Sequence, residues 1–168
     1  MKSNKDCIYT GLYGWAYGSA GVTRLLRAID IASVLLTASV YLFALIFTAV
    51  RDSSFMTPIK LAITTGIPFF AVSLLRHGLD LPRPCNVFEL DFLPSKKQGK
   101  SFPSRHVFSA FSIGTALCFV ALPLGIAALI LGVASAICRV CLGNHFIRDV
   151  IAGALIGAGC SVIGMLIL

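Results

Sequence analysis

The sequence predicts an all-α integral membrane protein, a helical bundle of five transmembrane helices with an N-terminal interfacial helix. Composition is the first reason, since 57% of the 168 residues are hydrophobic and only 12% are charged, whereas soluble domains carry about a quarter charged residues. The second is that charges cluster between long apolar runs. We divide the chain into an N-terminal interfacial segment, residues 1–28, and a membrane-embedded domain, residues 29–168.

The first apolar segment, residues 7–23, is a weak candidate for crossing the membrane. It carries no charge, but its four glycines disfavour a helix, and about 17 residues is the lower limit for a span. Tyr9, Tyr13 and Tyr17 recur at helical spacing around Trp15, and such aromatic residues favour the membrane–water interface. We therefore predict an interfacial helix in the headgroup layer, with a sixth short span as the alternative.

Four further apolar runs predict the five spans. Residues 29–50 and 58–75 each have the length of a spanning helix. Residues 107–138 carry no charge, and as one helix they would be about 48 Å long, so Pro123 and Gly125 are expected to divide them into a hairpin of two spans. The last span, residues 150–168, has Gly153, Gly157 and Gly159, which suit close helix packing.

The net charge of +7 does not require a nucleic acid partner. Anionic membrane lipids and phosphate-bearing substrates are the partners expected of a basic membrane protein. Cys138 and Cys141 have the spacing of half a metal or redox site, but no matching pair follows, so a packing role is favoured. We expect no metal and no cofactor, and the sequence leaves the oligomeric state open.

Three polar clusters fall on one side of the predicted bundle, because an even number of crossings separates each from the next. The first lies in the longest polar loop, residues 76–103, the second just before the third span, and the third before the last span. Their residues are Arg76 and Arg83, then Ser104, Arg105 and His106, then Arg139, His145 and Asp149. Ionisable residues at a membrane boundary are costly and usually functional.

These residue types suit phosphate chemistry. Arginine forks match phosphate oxygens, and a serine with backbone amides at a helix start can donate to an anion. A helix that begins near Asn144 would put His145 and Asp149 on one face, where the carboxylate orients a histidine nucleophile or base. The alternative for each residue taken alone is ordinary: arginines as interfacial anchors, Ser104 as a helix N-cap and His106 as a polar cap.

The three clusters resemble the signature of the type 2 phosphatidic acid phosphatase superfamily. The chain has R-x6-RP, PSRH and R-x5-H-x3-D, where the family pattern is K-x6-RP, PSGH and SR-x5-H-x3-D, over roughly residues 76–153. Arg76 replaces a lysine, Arg105 a glycine and Cys138 a serine. Arg105 adds a side chain beside the phosphate position, but none of the three changes removes a group that does covalent chemistry.

The resemblance implies a metal-independent phosphatase that works through a phosphohistidine, which makes residues 29–168 a phosphatase domain. His145 would be the nucleophile, Asp149 its orienting partner and His106 the general acid. The phosphoryl oxygens would be held by Arg76, Arg83, Ser104, Arg139 and the amide of Arg105, whose side chain is a candidate extra ligand.

A site at the membrane boundary suits a lipid phosphate: phosphatidic acid, phosphatidylglycerol phosphate or a polyprenyl diphosphate. The alternative is a non-catalytic membrane protein that binds anionic lipid, which would not need both histidines and Asp149. We expect the cell membrane as its location. The excess of lysine and arginine on the site side indicates a cytoplasmic face, although Lys2 and Lys5 change sides if residues 7–23 span.

Overall fold

The structure, a computed structural model, describes residues 4–88 and 99–168, and within this part of the chain it is helical with no strand. The described residues form seven helices: α1 (Asn4–Tyr17), α2 (Ala20–Arg51), α3 (Met56–Leu79), the short α4 (Pro84–Val87), α5 (Arg105–Cys118), α6 (Leu122–Cys141) and α7 (Ile147–Ile167). The predicted all-α membrane bundle is confirmed.

A break at Gly18 and Ser19 separates α1 from α2. Thr23 closes this corner, because its hydroxyl donates to the carbonyl of Ala16 at 2.8 Å. The helix of 14 residues is about 21 Å long, too short to cross a hydrocarbon core of about 30 Å. The predicted segment of residues 7–23 is therefore two pieces, and the predicted boundary at residue 28 falls inside α2.

Among the residues that the structure describes, four helices are long and apolar enough to cross a membrane: α2, α3 continued to Val87, α6 and α7. Between α5 and α6, the chain turns at residues 119–121 and Pro123 lies in the first turn of α6, so the predicted division of this run into two helices is confirmed. With 14 residues, α5 is about 21 Å long, short of a full span, and the count of five spans stays a prediction.

Apolar side chains cover the outside of the long helices. Leu35 of α2 is 61% exposed, Leu74 of α3 is 73% exposed and Leu155 of α7 is 69% exposed. Large exposed apolar surfaces of this kind need another apolar phase to cover them, and a ring of them around several long helices fits lipid.

The helices α5 and α7 touch at their backbones. A methyl group added at Gly153 would lie 2.7 Å from the carbonyl oxygen of Ser104, and one at Gly157 would lie closer still to that of Phe108. The predicted packing role is confirmed for these two glycines, whereas Gly159 has nothing within 4 Å. Because the two helices run so close together, their first turns lie side by side.

Candidate active site

The three polar clusters meet at one end of the bundle, where helices end or begin. Arg76 lies in the last turn of α3 rather than in the following loop, and Arg139 lies in the last turn of α6. Ser104 precedes α5, and Asp149 lies in the first turn of α7. The backbone amide of Ser104 donates to the carbonyl oxygen of Asp149 at 2.9 Å, so the second and third clusters are in direct contact.

The buried pair of His145 and Asp149 is the centre of this site. The Nδ1 atom of His145 lies 3.8 Å from Oδ2 of Asp149, and the two side chains are 1% and 0% exposed. The helix begins at Ile147 rather than near Asn144, so His145 lies in the preceding loop and not on the helix face we expected. The loop is held because the amides of Asn144 and His145 both donate to the carbonyl of Arg139, at 3.0 and 3.3 Å.

Hydrogen bonds fix the carboxylate of Asp149. Its Oδ2 atom accepts from the hydroxyl of Ser101 and, at 3.0 Å, from the amide of Phe146, and its Oδ1 atom lies 3.5 Å from Nε of Arg148. The carboxylate is thus held beside the imidazole, but at 3.8 Å it does not hydrogen-bond to Nδ1 of His145, which has no partner, so the two groups have to move closer by somewhat less than 1 Å to form a hydrogen bond of ordinary length. Ser101 was not among the site residues predicted from the sequence, since a single serine in a loop carries no pattern.

Burial lowers the pKa of His145 below its ordinary value, because a charged imidazole is poorly solvated there. The positive charges of Arg83 and Arg139 lower this pKa further, whereas Asp149 raises it. The imidazole is therefore neutral around neutral pH, and only a neutral imidazole has the free electron pair that a nucleophile needs.

Arg76 joins α3 to the segment before Ser101, and Arg83 joins that segment to the loop of His145. Arg76 donates to the carbonyl of Lys100. Arg83 donates through Nε to Gly99 at 3.0 Å and through Nη1 to Asn144 at 3.1 Å. Each guanidinium has five N–H donors, so these contacts hold the arginines in place and leave further donors for an anion.

Arg139 is paired with a carboxylate outside the predicted set of site residues. Its Nε atom lies 3.0 Å from Oδ1 of Asp30 in α2, and the hydroxyl of Ser135 donates to the same oxygen at 2.8 Å. One signal for Asp30 was present, because it is the only charge in the apolar run of residues 29–50. A charge inside such a run usually has a function and a partner.

The side chain of Ser104 does not cap α5. It occupies the N-cap position without a capping hydrogen bond, and its Oγ atom is buried with no partner. A buried hydroxyl without a partner is costly, so the structure does not support the alternative in which Ser104 is only a helix cap. The atom is a candidate donor to a bound anion.

Arg105 and His106, in the first turn of α5, are exposed and line a cavity of about 170 Å³. The guanidinium of Arg105 lies over the ring of Phe69, 5.9 Å from its centre. The cavity lies among α2, α3, α5 and α6 and continues past Val34 and Leu131. Most of its lining surface is apolar, and Arg105 and His106 lie at its end nearest the start of α5.

The tyrosines of α1 contact the loop that carries His145. The hydroxyl of Tyr9 accepts from the amide of Ile147 at 3.3 Å, and that of Tyr17 donates to the carbonyl of Leu142 at 3.1 Å. Between them, Tyr13 is 0% exposed, and this burial raises its pKa. The stripe therefore faces the protein rather than lipid headgroups, and the position of α1 at the membrane interface stays a prediction.

Cys138 and Cys141 have free thiols and pack in an apolar cluster with Ala16 and Leu26, which favours the packing role. Within residues 4–88 and 99–168, no three histidine, cysteine or acidic side chains are grouped so that they could hold a metal ion. Several of the basic residues counted for orientation, Lys2, Lys96 and Lys97 among them, lie outside the described residues.

The comparisons with known proteins point to one family. The sequence model of the PAP2 superfamily matches residues 57–168. The crystal structure of LpxE from Aquifex aeolicus is 26% identical with a TM-score of 0.63, and the likeness covers 86% of this chain and 94% of that one. A transmembrane PAP2 type phosphatidylglycerolphosphate phosphatase from Bacillus subtilis is 21% identical with a TM-score of 0.47, covering 94% and 90%. No curated protein sequence matches the chain.

The range matched by the family contains every site residue that the sequence predicted, from Arg76 to Asp149. It begins after α2 has ended, so Asp30 and the tyrosines of α1 lie outside it. The contacts of these two helices with the site are therefore features of this chain that the family match does not describe.

Proposed function

The chain belongs to the PAP2 superfamily, and we propose that it hydrolyses a lipid phosphomonoester or diphosphate through a phosphohistidine intermediate. The observation that carries this proposal is the buried pair of His145 and Asp149, 3.8 Å apart, beside the arginines of the site. A protein that only bound anionic lipid would use the arginines, but it would have no use for a neutral imidazole beside a fixed carboxylate.

His145 attacks through Nε2, since its Nδ1 atom faces Asp149. The Nε2–P bond forms while the bond from phosphorus to the leaving oxygen breaks, and His106 gives a proton to that oxygen. Water then attacks phosphorus and gives a proton back to His106, while the N–P bond breaks and inorganic phosphate leaves. Asp149 stabilises the positive charge that His145 carries in the intermediate.

The phosphoryl group is held by fixed donors, which is the main source of catalysis in phosphoryl transfer. The unpartnered hydroxyl of Ser104 gains a partner when an anion binds. The other donors that we assign to the phosphoryl oxygens are Arg76, Arg83, Arg139, and the amide and side chain of Arg105.

The cavity at His106 supports a lipid as the leaving group. It starts at the proposed general acid and continues between apolar walls, so an alkyl chain that leaves with the protonated oxygen has an apolar place to lie. Its volume of about 170 Å³ fits part of one hydrocarbon chain, since ~150 Å³ holds a benzene ring. Phosphatidic acid, phosphatidylglycerol phosphate and polyprenyl diphosphates all remain candidates.

The protein is an integral membrane protein, and we propose the cell membrane as its location. The lysines and arginines at the site end favour a cytoplasmic site by the positive-inside rule. The short α1, which contacts the loop of His145, would then lie on the cytoplasmic surface.

Phosphate release by the purified full chain tests this function. The substrates are phosphatidic acid, phosphatidylglycerol phosphate and a polyprenyl diphosphate in detergent micelles, each with EDTA, and His145→Ala is the inactive control. We expect release from at least one substrate in EDTA and none from the variant. Loss of all activity in EDTA, restored by a divalent cation, would contradict the mechanism. Binding to anionic vesicles with no turnover on any substrate would favour the non-catalytic alternative.

A further inference from the structure

Asp30 is a buried carboxylate for which the proposed reaction has no step. It lies in α2 and is 8% exposed, in a helix whose outer surface is apolar. Transfer of a carboxylate to such a place is costly unless it is paired and hydrogen-bonded. Its partners are Arg139, with Nε 3.0 Å from Oδ1, and Ser135, whose hydroxyl donates to the same oxygen at 2.8 Å.

From these contacts we infer that Asp30 is a positioning residue for the reaction, which it serves by holding the guanidinium of Arg139 in the phosphate site. The inference rests on the proposed function, in which Arg139 binds a phosphoryl oxygen. Asp30 does not touch the substrate in this account, and it acts only through Arg139.

The contacts fix the arginine from one side. Asp30 and Ser135 both meet Nε of Arg139, at 3.0 and 3.4 Å, and neither of these two contacts uses a terminal nitrogen. Because Ser135 also bonds to Asp30, the three side chains form a closed triangle. A guanidinium is planar and rigid, so fixing Nε also fixes the direction of the terminal N–H groups.

The backbone of the same arginine also holds the loop that contains His145. The carbonyl of Arg139 accepts from the amides of Asn144 and His145, at 3.0 and 3.3 Å. A shift of Arg139 therefore moves the support of the nucleophile as well as a phosphate ligand. Asp30 thus connects α2, which lies outside the range matched by the family, to both parts of the site.

Charge supports the same role. The positive charges of Arg83, Arg105 and Arg139 all act on Arg76, so the site gathers like charges before any anion is bound. Asp30 neutralises one of them at its Nε side. Without this carboxylate, Arg139 would be free to turn away from the other arginines, and the binding of phosphate would first have to bring it back.

A buried pair alone is weak evidence, because pairs of this kind can be replaced by apolar residues without loss of stability. The test therefore needs a measured quantity that would stay unchanged if Asp30 only stabilised the fold. We use the inhibition constant of inorganic phosphate, together with kcat and KM, because these report on the phosphate site itself.

The experiment compares the wild-type protein, Asp30→Asn, Asp30→Glu, Arg139→Met and the double variant Asp30→Asn/Arg139→Met. Purified protein in detergent micelles is assayed on the best lipid phosphate, with inorganic phosphate as the competing ligand. Thr48→Val is the matched control, since Thr48 is a buried hydroxyl of α2 at the end away from the site. The melting temperature of every variant is measured as well, to show that each one is folded.

We expect Asp30→Asn to lower kcat/KM and weaken phosphate inhibition by about tenfold to a hundredfold, the worth of one charge-assisted hydrogen bond. The double variant should be no worse than Arg139→Met, because Asp30 acts only through the arginine. Asp30→Glu should recover part of the loss, and Thr48→Val should leave both constants unchanged.

Normal phosphate inhibition in folded Asp30→Asn would overturn the inference, as would losses that multiply in the double variant. If Asp30→Asn does not fold, the double variant Asp30→Asn/Arg139→Met, which leaves neither charge unpaired, takes its place, and phosphate inhibition weaker in it than in Arg139→Met overturns the inference equally. A wild-type protein without phosphatase activity would instead contradict the proposed function, and an Arg139→Met variant with the kcat/KM and phosphate inhibition of the wild type would contradict the assignment of Arg139.

Discussion

The amide of Ser104 and the carbonyl oxygen of Asp149 are joined by a hydrogen bond of 2.9 Å, although 45 positions separate the two residues in the sequence. The bond is possible because α5 and α7 approach at Gly153, where a methyl group would lie 2.7 Å from the carbonyl of Ser104. A glycine one turn after Asp149 in α7 therefore sets the distance between a proposed phosphate ligand and the partner of the nucleophile.

Gly153→Ala is expected to separate the two helices at this point. Overpacking of a tight contact costs roughly 1–3 kcal/mol of stability, and a displacement of ~1 Å at a reacting centre can cost about a hundredfold in rate. We therefore expect a lower melting temperature from the overpacking. From the displacement we expect kcat/KM to fall by about tenfold to a hundredfold. The control is Gly159→Ala, since Gly159 has nothing within 4 Å. Equal behaviour of the two variants would contradict the account of the contact.

The hydroxyls of Tyr9 and Tyr17 support the loop of His145, and their removal should lower the rate. A hydrogen bond contributes about 0.5–1.5 kcal/mol, so Tyr17→Phe is expected to reduce kcat by about twofold to tenfold, and Tyr9→Phe similarly. Tyr41→Phe is the matched control, because the hydroxyl of Tyr41 bonds to Thr65 at 2.7 Å between α2 and α3. If all three variants keep the wild-type kcat, α1 does not support the loop.

The pKa of His145 predicts where activity falls in acid. Its pKa is lowered by burial, so the neutral nucleophile persists below the ordinary histidine pKa of about 6.5, and the acid limb of kcat/KM should lie below that value. Asp149 raises this pKa, so Asp149→Asn should move the limb to still lower pH and leave only a small residual rate. The phosphate of the substrate also titrates, near pH 6, but it does so equally in assays of the wild-type protein and of Asp149→Asn. The difference between the two pH profiles therefore reports on His145. A limb that moves upward in the variant would contradict this assignment.

Arg105 replaces the glycine of the family pattern, and its role stays a prediction. If its guanidinium binds the phosphate or its neighbour, Arg105→Gly removes a contact of about 1.5–3 kcal/mol. The KM should then rise, or the preference between monophosphates and diphosphates should change. Arg51→Ala, at the opposite end of α2, controls for a general loss of positive charge. Unchanged kinetics on every substrate would make Arg105 a headgroup anchor.

Much of the fold follows from local features of the sequence. A run of apolar residues has to become a helix in a membrane, and Pro123 in a run too long for one span predicts the turn between α5 and α6. The gathering of the polar clusters at one end follows from the count of crossings alone, even though α5 is shorter than a full span.

The contacts between helices could not be predicted in the same way. Helical spacing gives a stripe of Tyr9, Tyr13 and Tyr17, but it does not say whether lipid or protein covers that stripe. It shows that Asp30 is unusual in its span without giving Arg139 as its partner. Ser101 reaches Asp149 only because the irregular segment before α5 folds back onto α7, and no periodic pattern describes such a segment.

Trapping of the phosphoryl-enzyme tests the central claim most directly. The purified chain is mixed with lipid phosphate labelled on phosphorus, quenched in alkaline denaturant within one turnover, and analysed for label on the protein. The account predicts label that is stable in alkali and lost in acid, attached to His145 and absent from His145→Ala. A wild-type protein that turns over substrate with no such label, or a label that persists in His145→Ala, would contradict it.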